Sequence, residues 1–165
     1  MDAKRDADID PAPLAGKRVA ILGYGNQGRA QALNLHDSGV DVVVGLREGS
    51  ASHDEVERDG LTAVSLTEAV QTADLVMLLA PDEVLGALYR DIEPNIRDGA
   101  TLGFSHGLAI RFQLIVPRPD LDVIMVAPKG PGSALRSLYL EGKGMVALTA
   151  VAQDVSGCAM ALALA

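Results

Sequence analysis

At 165 residues, 48% hydrophobic and 22% charged, the chain has the length of one domain and buries roughly two thirds of its extended surface on folding. A formal net charge of −8 argues against nucleic acid or an anionic membrane as partner, so any anion site has to be local, built from loop amides and a few basic side chains. The one cysteine, Cys158, excludes a disulfide framework, fits a reducing compartment and reads as a small packing residue.

Residues 1–13 are charged and contain prolines but no apolar stretch of signal-peptide type, and read as a flexible, solvated arm ahead of a domain over 14–165. No apolar run approaches the roughly 20 residues that cross a bilayer, and a cytoplasmic location is expected. Short apolar runs predict strands at 18–22, 40–45, 75–80, 101–104, 123–127 and 145–150. Between them, 26–37 reads as a helix with Ala30, Leu33 and Leu35 among its apolar positions and Ser38-Gly39 as its stop. Further helices are expected over 52–59, 67–72, from Asp82 with Val84, Leu85 and Leu88 at helical spacing, and over 133–141. Residues 158–165 read as a terminal helix with no polar face. Unless it frays, it expects apolar neighbours from a second domain or another subunit. This alternation predicts an α/β fold, a doubly wound and mainly parallel sheet with helices on both faces.

The junction after the first strand carries the most chemistry. Gly23-Tyr24-Gly25-Asn26-Gln27-Gly28 joins that strand to a helix, and in this context a Gly-x-Gly-x-x-Gly turn presents backbone N–H groups and a helix N-terminus to a diphosphate. Gly23 permits the bend, Gly25 lets backbone approach the ligand, and Gly28 lets helix and strand pack closely; a plain strand-to-helix turn is the alternative. At the end of the second strand, where NAD-binding domains carry an acid for the adenosine ribose, the sequence has Arg47, with Ser50 and Ser52 following. A guanidinium there attracts a 2′-phosphate through bidentate bonds and hydroxyls add donors, which points to NADPH over NADH.

Ligands in open α/β sheets bind beyond the C-terminal ends of the strands. Three more segments belong there: Ala80-Pro81-Asp82-Glu83, expected to wall the nicotinamide side, Phe104-Ser105-His106-Gly107, and the stiff run from Ala127 through Lys129 to Gly132. His106 can donate a hydrogen bond or proton to a substrate oxygen, and Lys129 can bind a carboxylate. Taken singly, they also fit a loop histidine and a solvated lysine. No His, Cys, Asp or Glu cluster has metal-ligand spacing; Asp82, Glu83, Asp120 and Asp122 read as loop acids.

Together these segments resemble the N-terminal, Rossmann-type domain of ketol-acid reductoisomerase, the acetohydroxyacid isomeroreductase of valine and isoleucine synthesis. The likeness runs from about Leu14 onward, through the glycine turn, residues 36–47, Pro81-Asp82-Glu83, Ser105-His106-Gly107, residues 120–132, Gln153-Asp154 and Ser156-Gly157. It implies an oxidoreductase in which an alkyl group migrates on a Mg²⁺-bound acetohydroxyacid before NADPH reduces the resulting keto group. It also implies that Gly23, Tyr24, Gly25, Asn26, Gln27, Gly28, Arg47, Ser50, Ser52, Pro81, Asp82 and Gly132 hold NADPH while His106 and Lys129 face a small 2-hydroxy or 2-keto acid. The family's acidic metal ligands lie in a helical C-terminal domain, and the sequence stops where that domain would begin, so Mg²⁺ is expected only with a separate metal-binding domain. Ser105, Leu108, Arg111, Arg29 and Leu164 depart from the usual Ala, Phe, His, His and Tyr of the family. Two other readings stay open: a free-standing NADPH-dependent reductase of another small carbonyl or imine, with its site at a dimer interface, and a non-catalytic NADPH-binding module.

Overall fold

Alternating side chains along short strands decide the architecture. The computed structural model describes residues 3–165; residues 1 and 2 of the expected arm lie outside the described residues. Seven strands, β1 (Arg18–Leu22), β2 (Asp41–Leu46), β3 (Thr62–Ser65), β4 (Leu75–Leu78), β5 (Thr101–Phe104), β6 (Asp122–Pro128) and β7 (Ala147–Gln153), form one sheet in the order β3-β2-β1-β4-β5-β6-β7. All pairs are parallel except β6 with β7. In β1, Val19 and Ile21 enter one apolar cluster and Ala20 and Leu22 the other; β4 divides the same way, Leu75 and Met77 against Val76 and Leu78. Strands buried on both faces need helices on both faces.

Those helices are α1 (Asn26–Asp37), α2 (His53–Arg58), α3 (Leu66–Thr72), α4 (Asp82–Ile92), α5 (Leu108–Arg111), α6 (Gly132–Leu140) and α7 (Ala159–Leu164). Ala32, Val56, Ala159 and Ala163 cover one face of the sheet, while Ala69, Val70, Leu85, Tyr89, Ile92 and Ala109 cover the other. α3 starts one residue earlier than the sequence suggests because Ser65 caps it, its hydroxyl accepting from the Glu68 N–H at 3.2 Å. Ser65 and Glu68 are thus spaced as in a capping box.

The structure corrects several expectations. β3 was not expected: Thr-Ala-Val-Ser is short and weakly apolar, and it forms because β2 offers a parallel partner, Val43 opposite Thr62 through Leu46 opposite Ser65. The one-turn helix α5 was also unforeseen. The expected arm contains two 3-10 turns, Asp6–Asp8 and Ala12–Leu14, and Leu14 packs against the α1 and α7 side of the core. The helix expected from Asp82 begins there, so Asp82 and Glu83, also read as loop acids, form the first turn of α4, where carboxylates complement the helix dipole. Asp122 is not a loop acid either: it opens β6, is 5% exposed, and accepts from the amides of Val155 and Ser156 and from the Ser156 hydroxyl. That anchor, with Gln153 Nε2 donating to the carbonyls of Arg118 and Leu121, turns the chain from β7 into α7. The neighbours that α7 finds among the described residues are its own strands: Ala159, Leu162 and Ala163 are buried, while Met160 and Ala161 face out.

Candidate functional site

The strand order reverses between β1 and β4, and the crevice at that switch point is where open α/β sheets take ligands. The glycine turn sits there. Gly23 adopts φ +109°, and a Cβ on it would stand 2.5 Å from the Ala80 amide nitrogen. A Cβ on Gly28 would overlap the Gly23 carbonyl, so the third glycine lets α1 lie on its own turn. Gly25 differs, with an ordinary φ of −86° and nothing within 4 Å of where its Cβ would be. Its lack of a side chain leaves open space at the helix N-cap.

That N-cap has no side-chain hydrogen bond, so amides of the first turn of α1 remain available to an anion. Asn26 would be a suitable capping residue, yet its Oδ1 accepts from the Ser133 N–H of α6 at 2.8 Å. Gln27 Nε2 donates to the Gly130 carbonyl at 2.8 Å, and Gln31 Nε2 to the Ser105 hydroxyl at 2.9 Å. Tyr24 is 6% exposed and its hydroxyl donates to Asp59 Oδ2 at 2.7 Å. The side chains of Tyr24, Asn26 and Gln27 are therefore engaged within the protein, and what they present to a ligand at this turn is backbone. Gly132 is buried where α6 meets α1, and a Cβ there would overlap the Asn26 carbonyl.

One strand over, Arg47 is exposed at the end of β2 and, among the described residues, makes no side-chain hydrogen bond or ion pair. The Ser50 N–H donates to the Arg47 carbonyl at 3.1 Å and the Ser52 N–H to the Ser50 hydroxyl at 3.3 Å, a tight turn that carries both serines into the start of α2. Glu48 is exposed on the same turn. On the other side of the switch point, Pro81 is the N-cap of α4. His106, 68% exposed in its side chain, has Nδ1 3.6 Å from Asp82 Oδ2 and accepts from the Leu108 N–H at 3.4 Å. A ring accepting at Nδ1 carries its proton on Nε2. Lys129 follows β6; its amide donates to the Val146 carbonyl at 2.8 Å and its side chain is exposed, unpaired among the described residues. Since β5 and β6 are adjacent and parallel, with Phe104 opposite Met125, the His106 and Lys129 loops leave the same edge of the sheet.

Sequence reasoning missed Gln31, which holds Ser105, and Asp59, which holds both Tyr24 and Arg29. The partners lie 74, 35 and 30 residues apart, and no local pattern announces such pairs. Arg29 Nε and Nη2 meet Asp59 Oδ2 and Oδ1 at 2.6 and 2.7 Å. The Arg29 guanidinium first, then the Tyr24 hydroxyl, hold the Asp59 carboxyl below the usual carboxylate range against partial burial. Burial, with the Asp59 hydrogen bond and charge, pushes the Tyr24 phenol up. The described residues contain no group of three or more His, Cys, Asp or Glu side chains able to hold a metal ion, and no helix among them is long and apolar enough to cross a membrane.

A doubly wound sheet with an uncapped glycine turn at its switch point defines a dinucleotide-binding α/β domain. Residues 13–165 match the family model described as acetohydroxy acid isomeroreductase, NADPH-binding domain, and the chain belongs to that family. It is 54% identical over 165 residues to the ketol-acid reductoisomerase (NADP(+)) of Psychrobacter sp. (strain PRwf-1), covering 99% of this chain and 49% of that protein. The structure of an NADH-preferring ketol-acid reductoisomerase from an uncultured archean superposes with a TM-score of 0.95 at 44% identity, over 99% of this chain and 51% of that one. A semialdehyde dehydrogenase NAD-binding protein from Cupriavidus necator aligns over 68% of this chain and 41% of its own at 26% identity and a TM-score of 0.61. The chain thus spans about half the length of the ketol-acid reductoisomerases it matches.

Proposed function

We propose that the chain serves as the NADPH-binding half of a ketol-acid reductoisomerase of branched-chain amino-acid synthesis, presenting NADPH to a 2-keto-3-hydroxy acid. The observation that carries this reading is the open cradle at Gly25: free first-turn amides, no side chain, and an unpaired guanidinium at the end of the adjoining strand. Gly23, Gly25, Gly28 and the backbone of Tyr24, Asn26 and Gln27 would hold the diphosphate, and Arg47, Ser50 and Ser52 the 2′-phosphate. Pro81 and Asp82 would border the nicotinamide side, and Gly132, which packs against Asn26, would close the cradle beside the glycine turn. When bound, NADPH supplies a hydride donor.

The rest is the chain's own chemistry. The His106 Nε2–H donates toward the substrate oxygen that gains negative charge, with Asp82 Oδ2 3.6 Å from the other ring nitrogen. The Lys129 ammonium meets the substrate carboxylate as a mobile point charge. The acid cluster that a divalent ion needs is missing from the described residues, and alkyl migration would depend on carboxylates supplied from elsewhere.

The deciding experiment is acetolactate-dependent NADPH oxidation with Mg²⁺. No turnover is expected from the chain alone, and turnover is expected when a separately produced, folded C-terminal half of a ketol-acid reductoisomerase is added. Absence of turnover in that mixture would overturn the reading. The choice of cofactor is tested by Arg47→Asp, expected to weaken NADPH binding by about 1–3 kcal/mol while leaving NADH nearly unchanged in calorimetric titration. Equal losses for both would remove Arg47 as the phosphate reader.

A further inference from the structure

Tyr24, Arg29 and Asp59 form a cluster that none of the chemistry above uses. Asp59 follows the last residue of α2, and its two oxygens are fully engaged: Oδ2 with the Tyr24 hydroxyl and Arg29 Nε, Oδ1 with Arg29 Nη2. Glu55, also on α2, lies 3.4 Å from Arg29 Nε. Tyr24 belongs to the glycine turn and Arg29 closes the first turn of α1, so the cluster ties the diphosphate cradle to α2. At the other end of α2 stand Ser50 and Ser52, on the turn that begins at Arg47.

α2 needs such a tie. It is six residues long and buries only Val56, whereas isolated helices below about 12 residues are marginal in water. An exposed ion pair contributes little by itself. This one is a bidentate fork onto a carboxylate that is 14% exposed in its side chain and also accepts a buried phenol, a geometry that fixes direction as well as distance. Tyr24, buried in the same apolar cluster as Val56 and Leu61, gives the carboxylate a rigid mount.

We infer that Asp59 is a positioning residue for cofactor selection: by clamping α2 to α1, it holds the Arg47–Ser52 turn at the spacing from the glycine turn that a phosphorylated adenosine requires. The inference rests on the reading of Arg47, Ser50 and Ser52 as the 2′-phosphate site. Ordering that turn before the ligand arrives removes an entropic cost from binding. NADH shares the diphosphate cradle but has no phosphate to place against Arg47, so it draws less on the clamp.

The test uses the 165-residue chain and three ligands: NADPH, NADH and 2′,5′-ADP, titrated calorimetrically against wild type, Asp59→Asn, Arg29→Lys, Arg47→Asp and the Asp59→Asn/Arg47→Asp pair. Thermal melts confirm that each variant is folded at the titration temperature. Asp59→Asn is expected to weaken NADPH and 2′,5′-ADP about tenfold, which corresponds to about 1.4 kcal/mol, with NADH shifted less than about threefold. Arg29→Lys keeps the charge but loses the fork and should shift the same ligands in the same direction. In the pair, Asp59→Asn should add little to the loss already caused by Arg47→Asp. A role confined to stability would move neither the ligand ratio nor this coupling. Unchanged or equal losses for NADPH and NADH, or full additivity in the pair, would overturn the clamp while leaving the Arg47 reading intact. A wild-type chain with no preference for NADPH would overturn both.

Discussion

A Gly28→Ala chain is expected to lose about 3 kcal/mol of stability, and Gly25→Ala no more than about 1 kcal/mol, with the order reversed for NADPH. The added methyl at 28 would meet the Gly23 carbonyl, backbone that no rotamer change can move, so α1 has to lift from β1. Gly103 makes a useful contrast, since the first atom its Cβ would meet is the Met77 sulfur, the end of a flexible side chain. At 25 the methyl enters open space at an ordinary φ and occupies the approach of the diphosphate. Urea unfolding and NADPH titration of the two variants separate the effects. A Gly28→Ala chain with the wild-type midpoint would refute the close packing of helix on turn, and a Gly25→Ala chain that binds NADPH normally would refute the cradle.

Truncating Asp122 should be about as damaging. Asp122→Ala removes the shared acceptor of the Val155 and Ser156 amides and the Ser156 hydroxyl, three partly buried bonds to a carboxylate, at a cost of about 3 kcal/mol in all. α7 should be the first element to lose amide protection in hydrogen exchange. The same anchor predicts a pH dependence. Burial raises the Asp122 carboxyl, but the bonds from Ser156 and Val155 outweigh it and hold the group below its usual range. Arg118 acts likewise on Asp120, lowered to about 2, and Asp74 is lowered too, the bond from the Arg18 amide and the charges of Arg97 and Lys17 outweighing burial. A depressed folded-state carboxylate stabilises fully above the unfolded value, near 4, and this stabilisation is lost as pH falls through the folded value. Unfolding free energy should therefore be level above about pH 5 and fall below about pH 4. Asp122→Asn should flatten part of that slope. A slope unchanged by Asp122→Asn would show that this carboxylate contributes none of it.

Elements whose causes are local could be read from the sequence. β1, β5 and α1 lie where periodicity and the Ser38-Gly39 stop put them, because alternation and the glycine turn are written within a few residues of each other. The candidate cofactor residues likewise share the C-terminal edge of the sheet, since each follows a strand. What escaped depends on distant partners. β3 exists because β2 needs a neighbour, Asp122 became an anchor only through residues 155 and 156, and Ala159 and Ala163 of α7 are buried because β6 and β7 lie under them. The roles of Tyr24, Asn26 and Gln27 were legible only in outline. Their motif marks the turn, but the partners that claim their side chains are 35, 107 and 103 positions away.

α1 is the axle of this arrangement. From one helix, Asn26 holds the start of α6, Gln27 holds the loop after β6, Arg29 holds the segment after α2, and Gln31 holds the loop after β5. A twist or slide of α1 would move the segments after β5, α2 and β6 in concert, as spokes turn with a hub. Substitutions on the α1 face would thus be felt at all these attachments, whereas changes to the Arg47 side chain, which makes no hydrogen bond or ion pair among the described residues, would leave the distant loops at rest.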